Sequence, residues 1–201
     1  MRVACSRCWL PCGARRHHHP SRPRRRRGRH RRHLPPVRRG YTGQLRTDRA
    51  DAAEIGARIA KCGDRYPYIV AEREGAVIGY AYATAFRDRP AYRFAVETSI
   101  YLSPGAQRRG LGRALYSILL AILTRQGFVH AIGAITVPND ASVGLHREMG
   151  YADTGLYGDI GYKMGAWAGV QLLQKRLCPL PDMPAEPLAL SACAPWLALP
   201  A

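Results

Sequence analysis

A glycine-rich turn with the sequence Q-R-R-G-L-G occupies residues 107–112, between an apolar strand-like run at residues 96–102 and an apolar helical run. A turn that opens a helix presents backbone N–H groups without intrahelical partners, and the helix dipole adds partial positive charge there. Arg108, Arg109 and Arg113 add full charges. This chemistry suits a pyrophosphate, while the structural alternative is an ordinary strand–helix turn with solvated arginines.

The elements that would position this turn follow from hydrophobic periodicity between residues 50 and 177. The pattern predicts an α+β fold, a mixed sheet flanked by helices. Helices are predicted at 51–61, 111–126 and 138–149, a hairpin at 66–73 and 76–86, and further strands at 92–102, 130–137, 151–161 and 170–177. The glycine-rich turn therefore joins the third of these strands to the second helix.

Charge is distributed very unevenly along the 201 residues, whose net charge is +17. Residues 1–49 contain sixteen arginines and one acidic residue, which gives +15, so the remainder carries only +2. The basicity thus belongs to an arm, which we expect to be disordered, and residues 178–201 are expected to form an irregular Pro/Ala-rich tail. No apolar run of ~20 residues and no secretory signal is present, which predicts a cytoplasmic protein without a membrane-spanning helix.

The six cysteines raise the question of a metal site. Cys5, Cys8 and Cys12, followed by histidines at 17–19, have ligand types that suit zinc. A second spaced ligand pair and a packed scaffold are missing from the sequence. We therefore predict free thiols in the arm and no metal.

Several separated motifs in a fixed order resemble the GNAT superfamily of acetyl-CoA-dependent N-acetyltransferases. The order is strand, Q-R-R-G-L-G, helix, strand, N-D-A-S-V-G-L-H-R-E-M-G-Y and a closing hairpin. Four segments resemble the phosphinothricin acetyltransferase branch more narrowly: R-x-R-x-x-Y at 87–92, V-E-T-S-I-Y-L-S-P at 96–104, P-N-D-x-S-V-x-x-H at 138–146 and K-x-G-x-W at 163–167. The resemblance covers residues 51–177 and implies a GNAT fold whose first strand and helix are missing or replaced.

The same resemblance implies acetyl-CoA as a co-substrate, held along three segments. Its pyrophosphate would be bound by the turn and the first helical residues, namely Gln107, Arg108, Arg109, Gly110, Leu111, Gly112 and Arg113. Main-chain groups of Ile100, Tyr101 and Leu102 would bind pantetheine where their strand diverges from its neighbour, and Asn139 would contact the pantetheine arm.

Acetyl transfer to an amine requires a base, because the acceptor arrives largely as an ammonium ion. Glu97 is the candidate, since it interrupts an apolar strand where burial would raise its pKa; the alternative is a structural pair with an arginine such as Arg93. His146 occupies a position at which many relatives have a tyrosine able to protonate the departing thiolate. It is either an accessory catalytic group or a satisfied structural histidine.

Arg87, Arg89 and Tyr92 precede the strand that carries Glu97. Two arginines there suit a carboxylate or phosphinate on an amino-acid-like substrate, whereas the alternative is a solvated edge loop. The tyrosines at 80 and 82 and the phenylalanines at 86 and 94 are candidates for an acceptor pocket or for core positions.

The arginine-rich arm occupies the place of the first strand and helix of the relatives. It is a candidate nucleic-acid-binding tail or transit peptide. A further hypothesis is a frameshifted translation: shifting the frame from Arg24 onward, with GC-rich codons, yields DADAAAIAAIYRPYVEGTPASFELIAP, which resembles the missing family segment. Codons incompatible with this peptide would contradict the hypothesis.

We therefore expect an N-acetyltransferase that acts directly on a small primary amine, of the phosphinothricin or methionine sulfoximine/sulfone type. A homodimer is implied by the resemblance alone. The alternatives are an arginine-rich nucleic-acid-binding protein with an idle GNAT domain, and an acetyltransferase for protein N-termini.

Overall fold

The computed structural model describes the backbone of two short strands, β1 (Arg2–Cys5) and β2 (Cys8–Pro11), and residues 56–196 except positions 58 and 61. Side chains are described between residues 56 and 193. All strands belong to one sheet with the order β2-β1-β3-β4-β5-β6-β8-β7. The six further strands are β3 (Tyr68–Arg73), β4 (Ala76–Ala85), β5 (Ala95–Leu102), β6 (His130–Val137), β7 (Ala152–Lys163) and β8 (Ala166–Arg176).

The α-helices that are described over their whole length are α1 (Leu111–Gln126) and α2 (Asp140–Glu148). Leucines 115, 119 and 123 recur every fourth residue of α1 and are fully buried, which makes its apolar stripe the face that packs on the sheet. The helix ends at Gly127, whose φ of 90° lets its N–H reach the carbonyl groups of Leu123 and Thr124.

Both helices cover the same face of the sheet. Residues that alternate along β4, β5 and β6 point to this face and are fully buried, among them Ala83, Val96 and Ala131. An added Cβ at Gly79 of β4 would lie 3.5 Å from Leu111 of α1. The opposite face of β4 and β5 carries the intervening residues, which include Glu97.

The predicted α+β class, the mixed sheet and most element positions are confirmed. The hairpin of β3 and β4 turns at Glu74 and Gly75, both with positive φ (54° and 77°), as a two-residue loop requires. The strand expected over 92–102 begins only at Ala95, because residues Pro90–Tyr92 form a 3-10 turn. Residues 178–190 have no regular secondary structure, but the segment from 186 to 193 packs against the body of the protein.

The N-terminal arm differs in part from expectation. Strands β1 and β2 form an antiparallel hairpin, and β1 pairs antiparallel with β3 at the edge of the sheet, so these eight residues are not without structure. The rest of the arm, including the histidines at 17–19 and the segment from Arg24, lies outside the described residues. Of the helix expected at 51–61, positions 56, 57, 59 and 60 are described and helical.

No helix within the described part of the chain has both the length and the apolar character needed to cross a membrane.

Candidate functional site

The central feature of the site is the divergence of the parallel strands β5 and β6. They pair only from Ala95 to Glu97 on β5, opposite residues 130–132 of β6. Beyond this point β5 continues to Leu102 beside β4, and β6 continues to Val137 beside β8. The main-chain groups of residues 100–102 that face β6 therefore lie along an opening, where the sequence predicted a splayed strand.

Thr98 closes the vertex of this opening, a role that the sequence analysis missed. Its Oγ1 lies 3.1 Å from the carbonyl oxygen of Ile132 and 2.8 Å from the hydroxyl of Tyr151. Because the single hydroxyl proton of Thr98 is donated to the carbonyl, Tyr151 donates to Thr98. The side chain thus replaces the ladder hydrogen bond that ends at this point.

Glu97 lies on the sheet face opposite the helices. It is registered with Thr84 of β4, and Ser99 with Tyr82 lies two positions further along the same face. Burial of the carboxyl group raises the pKa of Glu97 above its ordinary value. The structural alternative of a pair with Arg93 does not hold here, because Arg93 forms its ion pair with Glu186.

His146 lies on the other face of the sheet and is 2% exposed. Its Nδ1 is 2.8 Å from the carbonyl of Ser142, so this nitrogen carries the proton and donates it, and Nε2 accepts from the Tyr116 hydroxyl at 2.7 Å. Burial lowers the pKa of His146, which favours the neutral ring. The imidazole sits against Gly133 of β6, just past the vertex.

The two predicted catalytic residues are therefore separated by the sheet. Glu97 presents a carboxylate of raised pKa on one face, whereas both ring nitrogens of His146 are already hydrogen-bonded on the other. Within the described part of the chain Glu97 has no ion-pair partner, so its carboxylate can take up a proton without first breaking a bond to a cation. His146 cannot exchange a proton without giving up a hydrogen-bond partner.

The glycine-rich turn has the backbone geometry of an anion site. Arg108 and Gly110 have positive φ values of 59° and 77°, and no side chain caps the start of α1. The first N–H groups of the helix thus lack an intrahelical partner and a cap, and Arg108 and Arg109 are exposed beside them. This donor set fits a pyrophosphate. Arg113, by contrast, forms an ion pair with Glu148 of α2.

Asn139 has a structural role in this arrangement. Its side-chain oxygen accepts a hydrogen bond of 3.1 Å from the N–H of Ser142 and caps the first turn of α2. The residue lies two positions after Val137, the last residue of β6, at the same end of the opening as Leu102.

Arg87, Arg89 and Tyr92 come together around a cavity of about 300 Å³. The Arg87 guanidinium lies 5.1 Å from the ring centre of Phe86 and 5.7 Å from that of Tyr92. The cavity is at the first residue of β5, whereas the glycine-rich turn follows its last. The complete lining consists of Arg65, Tyr66, Ala85, Arg87, Asp88, Arg89, Pro90, Tyr92, Arg93, Ala95 and Glu186.

Of the four aromatic residues considered for an acceptor pocket, Tyr80 and Tyr82 lie on the Glu97 face. Both rings stack with Tyr68 and also contact Tyr101. Phe86 instead packs edge-on against Tyr92.

Comparison with known proteins shows which family the sequence resembles. The sequence profile of the Acetyltransferase (GNAT) family matches residues 37–151. Phosphinothricin N-acetyltransferase of Streptomyces viridochromogenes is 40% identical over 148 residues, which are 73% of this chain and 81% of the relative. The L-methionine sulfoximine/L-methionine sulfone acetyltransferase of Salmonella typhimurium is 36% identical over 112 residues, 56% of this chain and 66% of the relative.

A solved structure gives the same result. The phosphinothricin acetyltransferase from Sinorhizobium meliloti, crystallised in complex with AcCoA, superposes with a TM-score of 0.68 at 41% identity, covering 74% of this chain and 82% of that protein. These similarities do not favour the nucleic-acid-binding alternative. The family match begins at residue 37, within the arm, so the predicted boundaries at 49 and 177 stay a prediction.

Proposed function

Because this chain belongs to the GNAT family of acetyltransferases, we propose that its acceptor is a small amino-acid-like amine of the phosphinothricin or methionine sulfoximine/sulfone type. The chain is an N-acetyltransferase with acetyl-CoA as its co-substrate. Two relatives that are named for these acceptors support the proposed substrate class.

The observation that carries the proposal is the order of features along β5. The arginine-lined cavity is at Ala95, Glu97 is two residues further on, and the glycine-rich turn follows Leu102. At about 3.3 Å per residue the strand is about 23 Å long. An acceptor held at one end and a coenzyme bound at the other would meet near Glu97, where β5 and β6 part.

In the proposed mechanism Glu97 is the general base. Its carboxylate takes a proton from the acceptor ammonium, directly or through a water molecule. The free amine then forms an N–C bond to the acetyl carbon as the thioester C–S bond breaks. The nitrogen loses one proton and the sulfur gains one, by way of solvent, so that the products are the amide and CoA as a thiol. Transfer is direct, without an acetylated side chain.

The groups proposed to hold the coenzyme lie along the opening and the turn beyond it. We assign the pantetheine arm to the main chain of Ile100, Tyr101 and Leu102 and to Asn139. The pyrophosphate is assigned to Gln107, Arg108, Arg109, Gly110, Leu111, Gly112 and Arg113. Since Arg113 pairs with Glu148, its contribution would require this exposed pair to open, which costs little.

Arg87, Arg89 and Tyr92 are proposed to bind the anionic group of the acceptor. The guanidinium groups offer paired donors that match a carboxylate or phosphinate. For His146 we propose an accessory role as a positioning residue. Its ring is hydrogen-bonded to Tyr116 and packs against Gly133 of β6, on the sheet face opposite Glu97.

An acetylation assay with a panel of acceptors tests the substrate class. Purified full-length protein would be incubated with acetyl-CoA and phosphinothricin, methionine sulfone, methionine sulfoximine, proteinogenic amino acids or short peptides. We expect acetylation of the first three to exceed that of the others by at least about tenfold in kcat/KM. Preference for peptides would instead support an acetyltransferase for protein N-termini.

The coenzyme site has its own test by calorimetric titration with acetyl-CoA. Gly110→Ala adds a Cβ to a residue with φ 77°, a conformation that costs an L-residue about 1–2 kcal/mol. We expect the Kd to rise about fivefold to thirtyfold if the loop must keep this conformation to bind. Gly155→Ala, where an added Cβ meets no atom within 4 Å, is the matched control.

A homodimer through the β7–β8 hairpin is also proposed. Strand β7 is the last in the sheet, and the hairpin exposes Leu156, Ile160, Tyr162, Met164 and Trp167. Exposed apolar side chains of this number mark an association surface, and a second copy offers the same surface in return. Sedimentation velocity should show a dimer for the native protein and for Val77→Ser, an exposed apolar control, and a monomer for Trp167→Ser.

Since acetyl-CoA is supplied inside cells, we propose a cytoplasmic site of action, which fractionation of the source cells would test.

A further inference from the structure

The segment from Glu186 to Cys193, here called the C-terminal strap, crosses the end of α1. The N–H of Leu188 donates to the carbonyl of Gln126 at 2.7 Å, and the amide nitrogen of the Gln126 side chain donates back to the carbonyl of Leu188 at 2.9 Å. Gln126 is 1% exposed, and its amide also reaches the carbonyl of Arg65. The strap is therefore tied to the same chain segment that enters β3.

A second anchor lies at Asp64. The N–H of Leu190 donates to its carbonyl at 2.6 Å, and Ser191 donates to its carboxylate through both the N–H and the hydroxyl. Leu190 and Cys193 are 3% and 2% exposed, so apolar burial supports these bonds. Glu186, at the start of the strap, consequently has a position set by the fold.

That position is on the wall of the arginine-lined cavity. The carboxylate of Glu186 accepts from Nε of Arg93, while Nη1 of Arg93 donates to the carbonyl of Pro90 at 3.1 Å. Four arginines line the cavity, at positions 65, 87, 89 and 93, against the two carboxylates of Asp88 and Glu186. The formal charge of the lining is +2, and without Glu186 it would be +3.

We propose that Glu186 biases the enzyme towards acceptors that carry fewer anionic groups. The proposal rests on the proposed function, in which this cavity receives the acceptor. Arg87 and Arg89 meet the first anionic group, whereas a second one would depend on Arg65 and on Arg93, whose positive charge Glu186 offsets. The strap thus makes the enzyme favour an acceptor with one anionic group over an acceptor with two.

Phosphinothricin and methionine sulfone form a matched pair of probes. Both are α-amino acids, but phosphinothricin has a phosphinate in addition to its carboxylate, and methionine sulfone has a neutral sulfone. Glu186→Gln keeps the size of the side chain and removes its charge. We expect this change to raise the ratio of kcat/KM for phosphinothricin to that for methionine sulfone by about threefold to fivefold, mainly through KM, since the pair with Arg93 is exposed.

Binding without acetyl transfer gives an independent measurement. Calorimetric titration of the full chain with each amino acid should show the same change in the ratio of the two Kd values. Ser191→Ala is the control, because it loosens the strap at Asp64 and leaves the charge of the cavity unaltered; we expect its ratios to match those of the native protein.

The outcomes separate this inference from the proposed function. If the native chain acetylates neither probe, the substrate class fails, and the Kd ratio still decides the role of Glu186. Ratios in Glu186→Gln that stay within about twofold of the native values would overturn the inference. So would an equal shift in Ser191→Ala, since docking of the strap and not its charge would then be responsible.

Discussion

At the vertex between β5 and β6, the two faces of the sheet place their titratable residues in different environments. On one face, burial raises the pKa of Glu97 in a strand whose neighbouring side chains are Thr84 and Ser99. On the other, His146 is closed in by Tyr116, Tyr151 and the backbone of Ser142, with both nitrogens bonded. Burial alone therefore does not distinguish a reacting group from a structural one.

This difference shows that a buried group needs a free lone pair, as well as a shifted pKa, to act in proton transfer. A buried polar group whose bonds are all made is stabilised in one state, and any proton transfer breaks a bond that costs about 1–3 kcal/mol to lose. The half-buried carboxylate of Glu97, which has no ion-pair partner among the residues that the structure describes, lacks that restraint. We accordingly expect chemistry on the Glu97 face and structural support on the His146 face.

The largest predicted effect is on turnover after Glu97→Gln. Removal of a general base typically costs 10²–10⁴ in rate, so kcat should fall by about 100-fold or more while the Kd for acetyl-CoA stays unchanged. Glu72→Gln, on strand β3, which β4 separates from the strand of Glu97, is the control for loss of a carboxylate. In the native enzyme kcat/KM should rise with pH through the raised pKa of Glu97, and this limb should vanish in the variant.

A small decrease in kcat for Glu97→Gln, with the acid limb retained, would place the base elsewhere and remove the contrast between the two faces.

The next effect is on stability and comes from Gly133→Ala. An added Cβ would lie 2.7 Å from Cδ2 and 2.9 Å from Nε2 of His146, and the ring cannot move aside without losing two hydrogen bonds. Overpacking of this kind costs about 1–3 kcal/mol. Urea unfolding should show this loss of stability for Gly133→Ala and not for Gly155→Ala. Equal stabilities of the two variants would mean that the packing around His146 can accommodate an added methyl group.

The sequence predicted the elements more completely than the site. Periodicity located α1 and β6 to the residue, because apolar spacing and the terminal Gly127 are local signals. The contacts at the vertex could not be predicted from the sequence, because Thr98, Tyr116 and Tyr151 are far apart in the chain and meet only through tertiary packing. The pairing of Arg93 with Glu186, 93 residues apart, was hidden for the same reason.

A comparable loss of stability is expected when the imidazole itself is removed. His146→Phe conserves much of the ring volume but leaves the Tyr116 hydroxyl and the Ser142 carbonyl without this partner. The free energy of unfolding should fall by about 1–3 kcal/mol, and kcat by less than about threefold in the fraction that remains folded. A loss of kcat comparable to that of Glu97→Gln, at native stability, would make His146 a reacting group.

The smallest effect is on the pH dependence of the unfolding free energy, whose sign should differ between Glu97 and His146. Glu97 binds its proton more tightly when folded, so its contribution to stability is complete below the ordinary glutamate pKa of about 4.3 and is lost as pH rises through the raised folded value. His146 binds its proton less tightly when folded, so its contribution is complete above about 6.5 and is lost as pH falls through the lowered folded value.

Subtracting the unfolding free energy of Glu97→Gln from that of the native protein should therefore give a difference that decreases with rising pH. The same subtraction for His146→Phe should give one that increases. Urea midpoints measured between pH 4 and 8 would reveal both slopes, and slopes of the same sign would contradict the assignment of opposite environments to the two faces.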